Sequence, residues 1–406
     1  MSITKKHILA GLMLATTALI APAHAAASKS LTLAVISDMS GLYKDAGGPG
    51  SVVAVNMAIK DSGIEKQGWS VKVIGLDHQN KPDVGANLAR QAIDQDHADA
   101  IIDVPNSAVA LAISPIVQEK NKVFLIDGAA ADILTGAKCS PNQVHFATDT
   151  WALAHGTGGA ITKAGGKTWF FITADYAFGK SLEKNTGAVA IANGGKVLGH
   201  VRAPLSTPDF SSFLLQAQAS KAQVIGLANA GGDTINSIKQ GAEFGIQKGG
   251  QIMAPLLLFI TDVNSLGLKT AQGLEFTSSF YWDLNDQTRA FSKRYQALEP
   301  LKHMPTWDQA AVYSSTLQYL KAVEKLGDAS DGKKVVTEMK SFPTDDAVFG
   351  KGQIRADGRA VFPTYLFKVK SPAESKGPWD YYKLIAKIPA DQAFRPMKDG
   401  HCPYVK

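Results

Sequence analysis

Beyond residue 30, short apolar runs rich in β-branched residues alternate with longer stretches whose apolar positions recur every three or four residues. That alternation is the pattern of βαβ units and a parallel sheet. In the first half the strand-like runs are Leu31 to Ile36, Val71 to Leu76, Ala100 to Val104 and Val123 to Ile126. Between them the spacing predicts helices over Ser51 to Asp61, with Val52, Val55 and Ile59 on one face, over Asp83 to Gln95 and over Ser107 to Lys120. Pro115 removes a backbone donor inside the last of these and is expected to kink or split it.

The second half repeats the scheme with runs Thr168 to Thr173, Lys196 to Val201, Val224 to Leu227 and Gln251 to Ala254. Helices are predicted over Gly179 to Asn193, Phe210 to Ser220 and Gly232 to Phe244. Two successive β/α sets fit two doubly wound lobes, with a TIM barrel as the rival architecture. The remaining third decides between them. It reads as helices over Thr288 to Leu298, Trp307 to Leu326 and Gly332 to Lys340, followed by a strand-like run from Ala360 to Val369. Such a tail has no place in a closed barrel. It suits a chain that returns to the first lobe for helices and crosses once more to add strands to the second. The expected class is therefore α/β, two parallel-sheet lobes joined by a three-strand hinge with crossings near Ala147, Thr277 and Arg359. The expected division is residues 26–147 plus 278–359 for lobe one and 148–277 plus 360–406 for lobe two, with the C-terminal tail returning to lobe one. In such sheets ligands sit beyond the carboxyl ends of the strands, so the loops after each strand are the ones to inspect.

The N-terminus narrows the setting. Lys5-Lys6, an apolar run from Ile8 to about Ile20 and the small-residue site Ala23-His24-Ala25 form the three parts of a cleavable export signal, residues 1–25. Roughly 380 residues then remain, beyond the usual single-core limit of about 250–300, which again argues for two lobes. No later run is long and apolar enough to span a membrane, so a soluble exported chain is expected. The net charge of +6, from 42 Lys+Arg against 36 Asp+Glu, is spread along the chain and not gathered in a patch, which argues against a nucleic-acid partner. An exported chain with two cysteines favours one bond between them, Cys139 to Cys402, tying the tail to the first lobe.

Catalytic signatures are missing. Gly165-Gly166-Lys167-Thr168 resembles the end of a phosphate loop, but position 161 is Ile where the motif needs Gly. Gly179-Lys180-Ser181 fails in the same way, with Ala at 174, and neither GxSxG nor HExxH occurs. The histidines are dispersed, so neither a metal nor a cofactor is expected. The loop Ser37 to Tyr43, leading into a helix, offers N–H groups to an anion, though outside the cytoplasm a nucleotide is an improbable occupant.

The segment Leu31-Thr32-Leu33-Ala34-Val35-Ile36-Ser37-Asp38-Met39-Ser40-Gly41-Leu42-Tyr43 resembles the opening strand and loop of type I periplasmic substrate-binding proteins of ABC transporters, in the branched-chain amino-acid-binding group. Further matches are Val104-Pro105-Asn106-Ser107, Ser114-Pro115-Ile116, Phe124 to Ala131, Asp175 to Ser181 and Leu227 to Thr234. The resemblance covers the whole mature chain. It implies a non-enzymatic receptor, expected as a monomer, that closes on a small ligand and hands it to an inner-membrane permease with its ATPase. It also implies that hydroxyls and amides after the third and fourth strands hold the ligand carboxylate, here Asn106, Ser107, Gly128, Ala129 and Ala130. Capping of the following helix is the competing role for Asn106 and Ser107.

The amino-acid half of the family's site is altered. Where the family has a tyrosine and an acid for the ligand's α-ammonium, this chain has Phe178 and the run Pro255-Leu256-Leu257-Leu258-Phe259, with no acid before Asp262. An ammonium without a partner is costly to bury. The remaining candidates are aromatic or polar: Tyr43, Tyr176, Phe178, Phe259, Tyr281 and Trp282, with Asn229 and Asp233 at the next strand end. The expected ligand is a small carboxylate lacking an α-amino group, an aromatic or an oxo or hydroxy acid. A branched-chain amino acid held by Asp233 or Asp262, a secreted enzyme, and a sensor subunit for a membrane kinase are the alternatives.

Overall fold

The structure is a computed structural model that describes residue 2 and residues 29–405. Apart from Ser2, the export signal expected over residues 1–25 lies outside the described residues. Strands β1 (Lys29–Ser37), β2 (Trp69–Asp77), β3 (Ala100–Asp103), β4 (Val123–Ile126) and β5 (Gln143–His145) form a parallel sheet in the order β2-β1-β3-β4-β5. A second parallel sheet contains β6 (Thr168–Ala174), β7 (Lys196–Ala203), β8 (Val224–Ala228) and β9 (Ile252–Pro255) in the order β7-β6-β8-β9. These are two lobes of one α/β scheme, and the barrel is excluded. The strand order reverses beside β1 in one sheet and beside β6 in the other, where crevices open in doubly wound folds.

All nine helices that the periodicity predicts lie within three residues of their expected ends, among them Gly48–Ser62, Pro82–Asp94, Ser211–Ala219 and Trp307–Leu326. Helix Ser107–Glu119 runs unbroken through Pro115, so the expected split does not occur. Trp307–Leu326 is buried along nearly its whole length and packs on Gly48–Ser62. Thr306 and Gln309 cap it reciprocally at one end and Gly327, in the left-handed conformation, closes the other. Gly50 allows the approach of these helices, because a methyl there would stand 2.2 Å from the Tyr295 hydroxyl and 2.3 Å from Gln309 Nε2.

The final third adds antiparallel strands. β10 (Glu275–Ser278) pairs with β14 (Thr364–Val369), which pairs with β15 (Tyr382–Ile388); β11 (Thr344–Asp346), β12 (Gly350–Ile354) and β13 (Ala360–Val361) form a separate small sheet. The strand-like run from Ala360 thus breaks at Phe362-Pro363 into β13 and β14. The Asp345-Asp346 doublet lies in β11, where Asp346 caps the turn through the N–H groups of Val348 and Phe349.

The chain passes between the lobes after β5, after β10 and between β13 and β14, and these passages are cross-tied. Thr148 Oγ1 donates to Ser279 Oγ at 2.7 Å, and fully buried Arg359 reaches Asp149 Oδ2 at 3.4 Å. Past β15 the chain returns to the first lobe, where Cys402 is bonded to Cys139 across 263 residues of sequence. Reduction, or replacement of both cysteines by serine, is expected to lower stability by about 2–4 kcal/mol. The shift in urea midpoint with and without reductant measures it.

Candidate functional site

The carboxyl ends of the two parallel sheets face one another across a narrow cavity. From the first lobe it is lined by Tyr43 and Ala46 after β1, Pro105 after β3, and Gly128 and Ala130 after β4. From the second come Tyr176 and Phe178 after β6, Ala230 after β8, and Leu257 and Phe259 after β9. None of these side chains is charged. With the lobes closed, the free space between these side chains is about 10 Å³, about that of one water molecule, so a ligand enters only as the lobes part.

The lobes are shut. The hydroxyls of Tyr43 and Tyr176 meet across the cleft at 2.7 Å, and burial pushes both phenols up, so they remain neutral. Gly231 makes this possible: its φ is +56°, and a Cβ there would stand 2.6 Å from the Leu42 carbonyl oxygen. A second contact crosses beside the first. Ser181 Oγ donates to Asp132 Oδ1 at 2.8 Å and meets Thr150 Oγ1 at 2.7 Å, while Arg395 from the disulfide-held tail grips Asp132 Oδ2 at 2.6 Å. Phe259 is steadied by stacking on Trp307, with ring centroids 5.3 Å apart.

The floor is built from backbone. Asp103 and Val104 take φ of +80° and +60°, which for a β-branched residue before proline is strained, and such strain collects at functional sites. The turn delivers Pro105 to the cavity. After β4, the N–H groups of Gly128, Ala129 and Ala130 find no acceptor among the described residues, although all three residues are buried. Open, buried donors in succession form an anion-binding concavity. Their direction is set from behind: Ala129 O accepts from His145 Nε2 at 2.6 Å, and His145 Nδ1 accepts from Arg359 Nη1 at 3.2 Å. Arg359 can only donate, so the imidazole carries its proton on Nε2. Burial, with the Arg359 charge, holds His145 well below the usual imidazole range and keeps it neutral.

Of the residues expected from sequence, Tyr43, Gly128, Ala130, Tyr176, Phe178 and Phe259 line the cavity. Asn106 and Ser107 are buried and otherwise occupied. Asn106 Oδ1 accepts from the N–H groups of Ala108 and Val109, the capping role, and Ser107 Oγ accepts from Ala131 N. Ala129 sits behind the lining and contributes only backbone. Asn229 bonds to Ser237 and Thr234 within its own lobe. Asp233 takes Ser206 N–H on one oxygen while the other has no partner among the described residues; burial pushes its carboxyl up to about 7. Asp262 caps Phe259 N at 2.9 Å, and burial likewise pushes it up to about 7.

Tyr281 and Trp282, expected at the site, lie away from it. Tyr281 is buried against Phe367 and Tyr382, both side chains donate to Trp379 O, and neither lines the cavity. Ala46, Pro105, Ala230 and Leu257 line it without having been singled out, although each lies in a loop that follows a strand.

The sequence profile of the family described as periplasmic binding protein matches residues 30–378. A periplasmic binding protein from Burkholderia mallei has 51% identity and a TM-score of 0.89, covering 93% of this chain and 100% of that one. A branched chain amino acid ABC transporter periplasmic ligand-binding protein from Burkholderia xenovorans LB400 has 42% identity and a TM-score of 0.80, covering 92% and 99%. An ABC transporter solute-binding protein from R. palustris, in complex with benzoate, shares the fold at 22% identity and a TM-score of 0.79, covering 89% and 97%.

The floor also carries a pH signature. Burial pushes Asp103 up to about 6 against an ordinary value of 3.8. The folded state therefore holds this proton more tightly, so the associated stability is complete below pH 3.8 and is lost as pH rises through 6. Asp103→Asn, which suits a positive φ, is expected to melt above wild type at pH 8, by on the order of 2–3 kcal/mol, with the gap closing toward pH 4. Thermal melts of both proteins across that range measure it.

Proposed function

Because the chain belongs to the periplasmic binding protein family, with solute-binding proteins of ABC transporters as its relatives, we propose that it captures a small carboxylate lacking an α-amino group. The ligand class is an aromatic acid or an oxo or hydroxy acid, delivered to an inner-membrane permease and its ATPase. Lobe one is taken as residues 26–147 plus 278–359 and lobe two as 148–277 plus 360–406, with the tail returning to lobe one. The signal over residues 1–25 directs export.

One observation carries the reading: three successive open N–H groups at Gly128, Ala129 and Ala130 lie opposite an uncharged, largely aromatic wall. Amides hold a carboxylate without a full counter-charge, and Phe178 and Phe259 shelter an apolar body. The ligand docks on the first lobe. The second then closes, Tyr176 meets Tyr43, and Ser181 meets Asp132. The R. palustris neighbour, with its bound benzoate, is consistent with this chemistry.

A branched-chain amino acid is the second reading, favoured by the partnerless buried oxygen of Asp233, whose charge bears on both Tyr43 and Tyr176. It requires that acid to hold the α-ammonium in place of the family's own.

Titration calorimetry with benzoate, a 2-oxo acid and leucine separates the two. The carboxylate reading expects benzoate or the oxo acid to bind at least 100-fold more tightly than leucine; the reverse order, abolished by Asp233→Asn, establishes the second reading. Phe178→Ala is expected to weaken an aromatic acid by about 10- to 100-fold, the equivalent of burying one phenyl group. Native mass spectrometry of the purified protein identifies any retained ligand by mass.

A further inference from the structure

Beneath the cavity floor lie three buried carboxyl groups that the ligand reading does not use. They are Asp103 at the end of β3, Asp127 just past β4, and Asp308 in the first turn of helix Trp307–Leu326. One oxygen of Asp308 stands 2.5 Å from where a side chain on Gly128 would begin. The same oxygen is 3.1 Å from the corresponding point on Gly47, and Asp103 Oδ2 is 2.8 Å from it. Gly128 lines the cavity and begins the run of open amides, so Asp308 lies directly behind the place where an anion is to be held.

Neither oxygen of Asp308 receives a hydrogen bond from another residue's N–H or hydroxyl among the described residues, and Asp103 has only the hydroxyls of Ser37 and Ser51 beside it, short of full hydrogen-bond geometry. Asp127 Oδ2 accepts the Asp103 N–H at 3.3 Å, and its other oxygen is unmatched. Two carboxyls in contact, buried and without a cation, resist ionising together, so the Asp103 and Asp308 pair gives up its last proton only above the usual carboxylate range.

The surroundings press in the same direction. Burial comes first among the causes that push Asp308 well above the usual carboxylate range, and Asp103 and Asp127 add to it. Asp38, from the loop after β1, bears on Asp103, and the Tyr295 phenol, from helix Asp286–Leu298, faces the pair with Glu299 beyond it. Against them stand the N-terminus of the helix that carries Asp308, the hydroxyls of Ser37 and Ser51 beside Asp103, and Ser315 and Arg359, which act on Asp127.

We propose that Asp308 makes this a proton-linked anion site, in which a ligand carboxylate settles on the Gly128 to Ala130 amides only while the Asp103 and Asp308 pair keeps its proton. The inference rests on the carboxylate reading above. An anion over Gly128 raises the proton affinity of the pair, and by reciprocity the retained proton strengthens anion binding. At low pH, where the free protein is already protonated, affinity is flat. Above that region each ligand brings in up to one proton, and affinity falls by up to tenfold per pH unit. Asp308 is thus a positioning and charge-selecting residue that does not itself touch the ligand.

Titration calorimetry of the mature protein with benzoate, from pH 5.5 to 9 in buffers of different ionisation enthalpy, tests this. The expected result is proton uptake rising toward one per benzoate, with Kd weakening in step. Asp308→Asn, which keeps the shape and lacks the proton, is expected to show a Kd constant within about twofold across the range and no uptake. Wild-type uptake is read without any variant, so the test stands even if Asp308→Asn does not fold. Benzoate binding with no proton uptake, or uptake that persists in a folded Asp308→Asn, overturns the linkage and leaves the carboxylate reading intact. Absence of carboxylate binding at every pH overturns both.

Discussion

Arg359 is the constraint on which the rest of the molecule hangs. It is a fully buried guanidinium, and its charge is kept there by Asp149, the Ala360 carbonyl and the face of Phe394, 4.3 Å from its centre. Burial pulls it down to about 10, still cationic at neutral pH. Removing any partner leaves a buried charge uncompensated, which is among the costlier changes a folded chain can suffer. Because Arg359 joins two passages between the lobes and forces His145 to accept on Nδ1, the same cation that fastens the hinge also decides which way the Ala129 carbonyl turns. Hinge geometry and binding floor are therefore two ends of one hydrogen-bonded chain.

A consequence is a division of labour between backbone and side chain. The first lobe offers main-chain donors on a loop whose neighbour, Val104, is held in a sparsely populated conformation at a cost of about 1–3 kcal/mol. The second lobe offers aromatic rings. Substitutions among those rings change the body of the ligand that fits without touching the amides that hold its head, so one scaffold accommodates acids of different shape.

Legibility in the sequence follows the same division. The central strands β3 and β4 are buried at every position and read as apolar runs, broken only by Asp103 at the end of β3, and the long helices show their period. By contrast, β5 is three residues with polar Gln143 and His145, and β15 holds its apolar residues largely exposed, so neither shows the pattern of a buried strand. The cavity residues after β1, β4, β6 and β9 were accessible because doubly wound sheets put ligands at strand ends. Tyr281 and Trp282 were not, since sequence position after a crossing does not say whether a ring turns toward the cleft or into the core. Asp308 was invisible for a different reason. It comes from a helix about 180 residues beyond Gly128, and only tertiary packing brings the two together.

The bond between Cys139 and Cys402 has a bearing on the order of events in folding. The first lobe draws its sheet from the early chain, its longest helix from residues 307–326 and its final strap from residues beyond 390, so it cannot be completed before those residues have been made. Closing loops of that length is entropically slow. The lobe that carries the ligand floor therefore stays unfinished until synthesis has passed the segment that seals it.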